Sequence, residues 1–597
     1  MCKRHQEQIT DASMSITQQR KRTAHASHDA PMSTLMDDDK AAAAAVDFVG
    51  RLPWDVTWAI FTRLNFPERV KCTRVSKNWR TSLCEWPGMY RDVHIALRES
   101  DRDSWLKWIP DAERPIQRFS FFGNTVQMKK TFDMIRQKGH SRIHTLVIGS
   151  IYAWDTVDLS TEEQLSTLTG MLELTGHNLK TLEFRHAFFP AQRVIPRVLS
   201  TCQRLQTLVC KMENIEENQE EEQQNEDEEE QNVSPTWAPE LPMPWLTELV
   251  WSAEVVLPLE RLLPLCTSLH LLVMDAAECG PMNVLQRIDL LCPSLRHVHL
   301  LDTDAITHLE LHDVRAPNAS GPGLQSLALT HVDGLCDRDL LPLLERNHRT
   351  LELVSVIHDT PLEHYWAALA HYGAPRLSHL VLRHTGPEDD LCRLLLQCPA
   401  LEHVTLMQCQ SGRTMDALTR LVSLRSLTIY DGAETALDRA MCFARAPAIG
   451  LRTLHLIRSR FVTDDFLETM VRELNTELTS LDVSGCEQLT SAGLQRAIQE
   501  LARSQQLRSL GLADLDCVDD DVLCALGAIQ SLHTLDISRC YRVSDRGVSA
   551  LVFDGCTSLR RLVMHDCLVT HATTTRIANK LDTAFPDETS IVDTLPY

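Results

Sequence analysis

The side chains that could do chemistry fall into rows along the chain and form no compact cluster. His331, His358 and His384 recur 26 or 27 residues apart, and Arg383, Tyr430, Arg458, Arg539 and Arg561 follow the same rhythm. On neighbouring strands about 4.8 Å apart, three such histidines would form a ladder able to hold a metal ion or an acidic peptide. The plainer reading, a row of exposed polar residues at a tolerant position, is the one preferred. Arginine and tyrosine at regularly repeated exposed positions suit a protein interface, where they anchor partners bearing carboxylates or phosphate.

Catalytic constellations are missing from the sequence. It has no GxxxxGK[ST], no GxGxxG after a strand, no HExxH and no GxSxG. The 19 cysteines are dispersed, without a CxxC pair or Cys/His spacing suited to zinc. No catalytic residue, metal or cofactor is therefore assigned, and the chain reads as non-enzymatic.

The 597 residues carry 81 acidic and 59 basic side chains, a net charge of -22. Ten of the acids lie between Glu216 and Glu230, so the remainder carries about -12. A strongly acidic chain disfavours nucleic acid and anionic membranes, since phosphate contacts need a basic stripe. The start MCKRHQEQ has no apolar signal stretch and no apolar run reaches 18 residues, so no membrane association is expected. Free thiols in a reducing cytoplasm or nucleus are the simpler reading of the cysteines.

The elements that must position the rows are legible in a repeat. The pattern LxxLxL, with Val, Ile, Met or Phe substitutions, starts at Ile116, Ile143, Leu179, Leu205, Leu246, Leu269, Leu295, Leu324, Leu351, Leu377, Leu401, Leu424, Leu451, Leu478, Leu507, Leu532 and Leu559. Spacing is mostly 23–29 residues, which predicts a stacked solenoid. Between motifs, sets such as Leu494, Ala497, Ile498 and Leu501 make one helical stripe. Each unit would bury its apolar face only against neighbours, so the array is stable only as an array. Seventeen strands at about 4.8 Å would give a concave arc of roughly 75–80 Å, suited to a folded protein or long peptide.

The form LxxLxLxxC at Leu401–Cys409, Leu478–Cys486, Leu532–Cys540 and Leu559–Cys567 resembles the cysteine-containing subclass of leucine-rich repeats. That resemblance implies an α/β horseshoe with parallel strands on the concave face and helices outside, and a terminal Cys buried at the strand-to-helix turn. The expected organisation is a disordered leader at 1–45, a small helical module at 48–95, repeats at 116–570 with an acidic loop insertion at 214–240, and a cap and tail at 571–597. Arg20-Lys21-Arg22 in the leader is read as solvated charge in preference to a nuclear-import patch.

Residues 50–93 differ in character. Pro53 can open a helix, Val56, Ile60, Phe61 and Leu64 form a stripe, Pro67 starts a second helix, and Val75, Trp79 and Leu83 mark a third. Leu52, Pro53, Ile60 and Phe61 are expected to stay exposed, because so small a segment is marginal alone and needs a partner. The Leu-Pro start, Ile-Phe pair and Val-Ser-Lys-x-Trp-Arg run resemble an F-box, with Arg69 standing where the family has Leu and Tyr90 where a late Trp is common. The resemblance implies docking onto the Skp adaptor, and through it cullin and RING subunits, by Leu52, Pro53, Ile60, Phe61, Leu64, Val75 and Trp79. A cap for the first repeat is the plainer alternative.

F-box/leucine-rich-repeat proteins recruit targets to Skp–cullin–F-box ubiquitin ligases, and that role is what the resemblance implies, with Arg383, His384, Tyr430, Arg458 and Arg539 facing the protein substrate. A binding scaffold without ubiquitination is the alternative, and a GTPase-activating solenoid a weaker third. The acidic insert is read as a solvated loop in preference to a docking site for a basic partner.

Overall fold

The computed structural model describes residue 49 and residues 52–97, 109–111, 113–150, 157–159, 161–185, 187–188, 191–211, 243–252, 262–275, 282–301, 323–332, 335–357, 363–383, 388–408, 412–433, 450–474, 477–584 and 592–593. The leader at 1–45, the acidic loop, His358 and His384 lie outside the described residues. The chain divides into two compact units, one ending at Tyr90 and the other beginning at Arg91.

Among the described residues, the first unit has three short helices, α1 Trp54–Thr62, α2 Phe66–Cys72 and α3 Lys77–Glu85. Asn65 and Glu68 close a reciprocal capping box on α2, with Pro67 in its first turn. Ser76 caps α3 by accepting from the Trp79 backbone N–H at 3.1 Å. The cap starts the helix after Val75, so Val75 lies in the turn, 60% exposed, and the expected stripe is reduced to Trp79 and Leu83.

In the second unit the strands are β1 Asp92–Ala96, β2 Arg118–Phe122, β3 Thr145–Gly149, β4 Thr181–Arg185, β5 Thr207–Lys211 and β6 Glu248–Ser252. There follow β7 Leu271–Asp275, β8 His297–Leu301, β9 Ser326–Thr330, β10 Leu353–Ile357, β11 His379–Arg383 and β12 His403–Met407. The last are β13 Ser426–Tyr430, β14 Thr453–Ile457, β15 Ser480–Asp482, β16 Ser509–Gly511, β17 Thr534–Asp536, β18 Arg561–Val563 and β19 Val592–Asp593. Among the described residues these nineteen make one parallel sheet, each pairing with its sequence neighbours. The unit is an α/β leucine-rich-repeat solenoid.

Every one of the seventeen leucine motifs opens a strand two residues after its first apolar residue, from β2 to β18. Position one, four and six of the motif point inward, as Leu377, Leu380 and Leu382 show, all at most 1% exposed. Strand β1 carries no such motif, and it overlaps the end of the stretch expected to be the helical module. It pairs in register with β2 because Val93 and Ile95 alternate inward, so the boundary at 95 moves back to Tyr90. The long spacing after Ile143 accommodates a small extra pairing of Val157–Asp158 with Ala187–Phe188.

Two ladders tie repeat to repeat. The position-nine thiols of Cys486, Cys540 and Cys567 donate to the position-six carbonyls of the preceding repeat, Leu456, Leu512 and Ile537, at 2.8, 3.1 and 3.1 Å. Burial pushes the Cys486 and Cys540 thiols up to about 12, which keeps them protonated donors. The second ladder is carboxylate to cap: Asp464 accepts from Thr490, Asp520 from Ser544 and Asp545 from Thr570, each through the backbone N–H and the side-chain hydroxyl. Position eight turns the chain with positive φ at His331, Gln408, Asp431, Arg458, Gly485, Asp514, Arg539 and Asp566.

Candidate protein-docking surfaces

Helix α1 reads WDVTWAIFT and has almost no polar side to turn outward. Only Thr57 and Phe61 go inside, so large apolar side chains are left on the surface: Leu52, Trp54, Val56, Trp58 and Ile60 are all at least 37% exposed. Trp54 and Trp58, one turn apart, bring their rings to 6.1 Å. Pro53 is exposed and Leu64 half-buried. The two tryptophans were not among the expected docking residues, although their i, i+4 spacing on an apolar helix was visible in the sequence.

Phe61 and Trp79 are not on that surface. Phe61 is 1% exposed, its ring edge-on to Trp79 at 5.7 Å and 6.2 Å from Trp86. They form the module's small core, and the expectation of an exposed Ile-Phe pair holds for Ile60 alone. Arg69 is inside as well. Its Nε donates to the Phe61 carbonyl at 3.1 Å, Nη1 to the Gly88 carbonyl at 3.2 Å, and its guanidinium lies 5.2 Å from the Trp86 ring. Tyr90 is buried and packs on Phe66 at 6.5 Å.

In the solenoid, positions three, five and seven of each motif point away from the leucine core. That outward face changes along the array. From β5 to β9 it is closed except at half-buried Glu248 and Thr330: Val209, Val250, Leu271, Val273, Leu301 and Ala328 form a buried apolar cluster. Lys211, Ser252 and Asp275 are buried at position seven of the same strands, where Ser252 donates to Asp275 at 3.5 Å. Burial pushes His297 and His299 down to about 4, and His299 Nε2 lies 2.7 Å from the Ser326 hydroxyl. From β10 to β14 the face is open, every outward position being half-buried in a strict alternation.

The expected binding residues divide accordingly. Arg383 and Tyr430 sit at position seven of β11 and β13 on the open section, in one row with Met407 and Ile457. Arg458 and Arg539 instead occupy position eight, in the left-handed turn, and face carboxylates of adjacent repeats. Arg458 Nε is 3.0 Å from Asp431 and Arg539 Nε 3.8 Å from Asp566. His331 shares that turn position. Sequence reasoning missed His379 and His403, which stand at position three of successive motifs and stack at 4.2 Å with their planes 12° apart. At the C-terminal ends of β13 to β16 a cavity of about 750 Å³ has a mixed lining that includes Arg458, Arg460 and Arg542 with Asp431, Glu487 and Asp514.

Among the described residues, no group of His, Cys, Asp and Glu could hold a metal ion, and no helix is long and apolar enough to cross a membrane.

Comparison with known proteins assigns the helical module. Residues 50–85 match the family model of the F-box domain. No curated protein matches the chain. Among solved structures, the chain is similar to one in the crystal structure of the Rad7 and Elc1 complex in yeast, with 19% identity and a TM-score of 0.35 over 55% of this chain and 78% of that one. It is also similar to one in the crystal structure of a TLR13–ssRNA13 complex, with 13% identity and a TM-score of 0.32 over 76% of this chain and 50% of that one.

Proposed function

We propose that the chain is the target-recognition subunit of a Skp–cullin–F-box ubiquitin ligase, its F-box held by the Skp adaptor and its leucine-rich repeats holding a protein target. The observation that carries this reading is the apolar surface of α1 within the segment that matches the F-box domain. Covering such side chains contributes roughly 1.5–3 kcal/mol each, against an association cost of several kcal/mol. Leu52, Pro53, Trp54, Val56, Trp58, Ile60 and Val75 would meet the adaptor, Leu64 would border them, and Phe61, Trp79 and Arg69 would hold the helices that present them. Ubiquitin transfer would be performed by other subunits, in the cytoplasm or nucleus. The thiol-to-carbonyl ladder supports the cysteine-containing subclass of repeats.

The test is co-expression of the full chain with a Skp adaptor. A stable complex is expected, and the Leu52→Ala/Pro53→Ala and Trp54→Ala/Ile60→Ala variants should lose it while keeping the thermal midpoint of the parent. A correctly folded chain that leaves the adaptor in the unbound fraction refutes the assignment.

A further inference from the structure

Within the target-holding role just proposed, on which this step rests, the cavity at the C-terminal ends of β13 to β16 offers the target a place of defined charge. Its volume of about 750 Å³ falls within the roughly 300–1,000 Å³ range of sites that enclose a ligand. The floor is Gly485 with Cys486, Leu489 and Leu515, the last three at most 5% exposed. Gly485 has a φ of +68°, and a Cβ there would come within 2.7 Å of the Arg458 side chain, so a larger residue would intrude on the floor.

Beside the paired Arg458 and Asp431, five charged side chains line it: Arg460, Glu487, Asp514, Asp516 and Arg542, all exposed. They lie in the described stretches 450–474 and 477–584. Among the described residues, none of the five makes an ion pair or a side-chain hydrogen bond. The same row of turns does pair charges on either side, Arg458 with Asp431 at 3.0 Å and Arg539 with Asp566 at 3.8 Å. Both signs are thus present around one cavity without satisfying each other.

The signs are ordered. From the loop after β14 to the loop after β17 they run Arg460, then Glu487, then Asp514 with Asp516, then Arg542. Arg460, Glu487 and Asp516 hold position ten of successive motifs, so their loops follow the spacing of the strands. Carboxylates on two adjacent loops repel one another, and a cation set between them relieves that repulsion. Three steps of about 4.8 Å separate the two arginine-bearing loops by about 14 Å, the length of about four residues of extended chain.

We infer that this cavity binds an extended segment of the protein target with lysine or arginine at its centre and aspartate or glutamate on both sides. The basic side chains meet Glu487, Asp514 and Asp516, and the acidic ones meet Arg460 and Arg542. The segment crosses the loops from β14 to β17.

The test uses the full chain and three sets of synthetic 15-residue peptides. One set has a basic centre and acidic flanks, one has the same residues with an acidic centre and basic flanks, and one has serine and glutamine in their place. The first set should bind best, weakened about tenfold by E487K/D516K and by R460E/R542E. R503E, on the outer helix Ser491–Ser504, should leave it unchanged. The four substitutions together invert the row and should transfer the preference to the inverse set. Equal or tighter binding of the inverse or the uncharged set by the parent chain, no binding by any set, or first-set binding indifferent to both double variants overturns the inference. Thermal midpoints are read alongside. If one double variant unfolds the chain the other decides, and if both do, the preference of the parent chain among the three sets decides. Adaptor co-purification is scored on the same samples. Absent peptide binding with adaptor retained refutes the cavity alone, and the reverse refutes the ligase reading alone.

Discussion

Arg69 reaches back eight residues to the carbonyl oxygen of Phe61 and holds it at 3.1 Å inside the F-box module. The same side chain spans to the Gly88 carbonyl and lies against Trp86, so one residue joins α1, α2 and the turn after α3. A charge this deep is tolerated because its donors are matched to backbone acceptors.

Arg69→Leu restores an apolar residue but leaves the Gly88 carbonyl without that donor, while Phe61 keeps the Leu64 N–H. A loss of about 1–3 kcal/mol is expected. Arg69→Lys should not rescue it, since an ammonium cannot span two carbonyls with a planar fork. Hydrogen exchange of peptides covering 54–85 measures this locally. Unchanged protection in Arg69→Leu would show the strap to be dispensable.

Ile60 and Phe61 are neighbours with opposite tasks. Phe61→Ala empties the site between Trp79 and Trp86 and should cost about 3–5 kcal/mol, enough to unfold so small a module. Ile60→Ala removes an exposed side chain and should leave the fold within about 0.5 kcal/mol while weakening adaptor binding. Urea unfolding and adaptor titration of both variants separate the two roles, and equal stability loss in the two would contradict the buried-versus-exposed assignment.

The array was legible because one leucine spacing, repeated, leaves a chain few ways to pair its strands. Strand β1 was hidden because its inward residues, Val93 and Ile95, carry no leucine motif and gain their place from β2. In α1 the stripe Val56, Ile60, Phe61 and Leu64 does not tell which side turns inward, since an apolar residue occupies almost every turn position and the choice of Phe61 over Ile60 is made by Trp79 and Trp86. Val75 falls outside the expected stripe because the Ser76 cap starts the helix after it. The closed section did leave a trace: TLVCK in β5 and LLVMD in β7 are near-continuous apolar runs, as strands covered on both faces require, whereas SLTIY in β13 alternates. The left-handed turn at position eight escaped notice because aspartate, arginine, histidine and glutamine share it with a single glycine, Gly485.

Acid should weaken the closed section first. His299 is buried, held down to about 4 by burial and then by His297, with the Arg296 and His270 charges acting on His297 in turn. Its folded value lies below the 6.5 of an unfolded histidine, so the stabilisation is complete above pH 6.5 and is lost as pH falls towards 4. The full difference is on the order of 3 kcal/mol. His299→Gln, which does not titrate, should flatten the fall in urea midpoint between pH 7 and pH 4.5. An equally steep fall in that variant would place the acid sensitivity elsewhere.

The inter-repeat ladder explains one glycine that a helix would otherwise reject. Gly493 lies in the first turn of Ser491–Ser504, where a Cβ would come within 2.0 Å of the Asp464 carboxylate that caps Thr490. Helix propensity alone makes Gly→Ala favourable by roughly 0.5–1 kcal/mol. Here Gly493→Ala must displace Asp464 from two hydrogen bonds, at about 1–3 kcal/mol, so the net effect should be destabilising. Asp464→Ala removes the same bonds and also the obstacle. Once Asp464 is gone, adding Gly493→Ala should stabilise, so the double variant is more stable than Asp464→Ala alone and the cycle is strongly non-additive. Additive losses in denaturant titrations of the four proteins would mean that the close approach of Asp464 to Gly493 does not constrain the repeat.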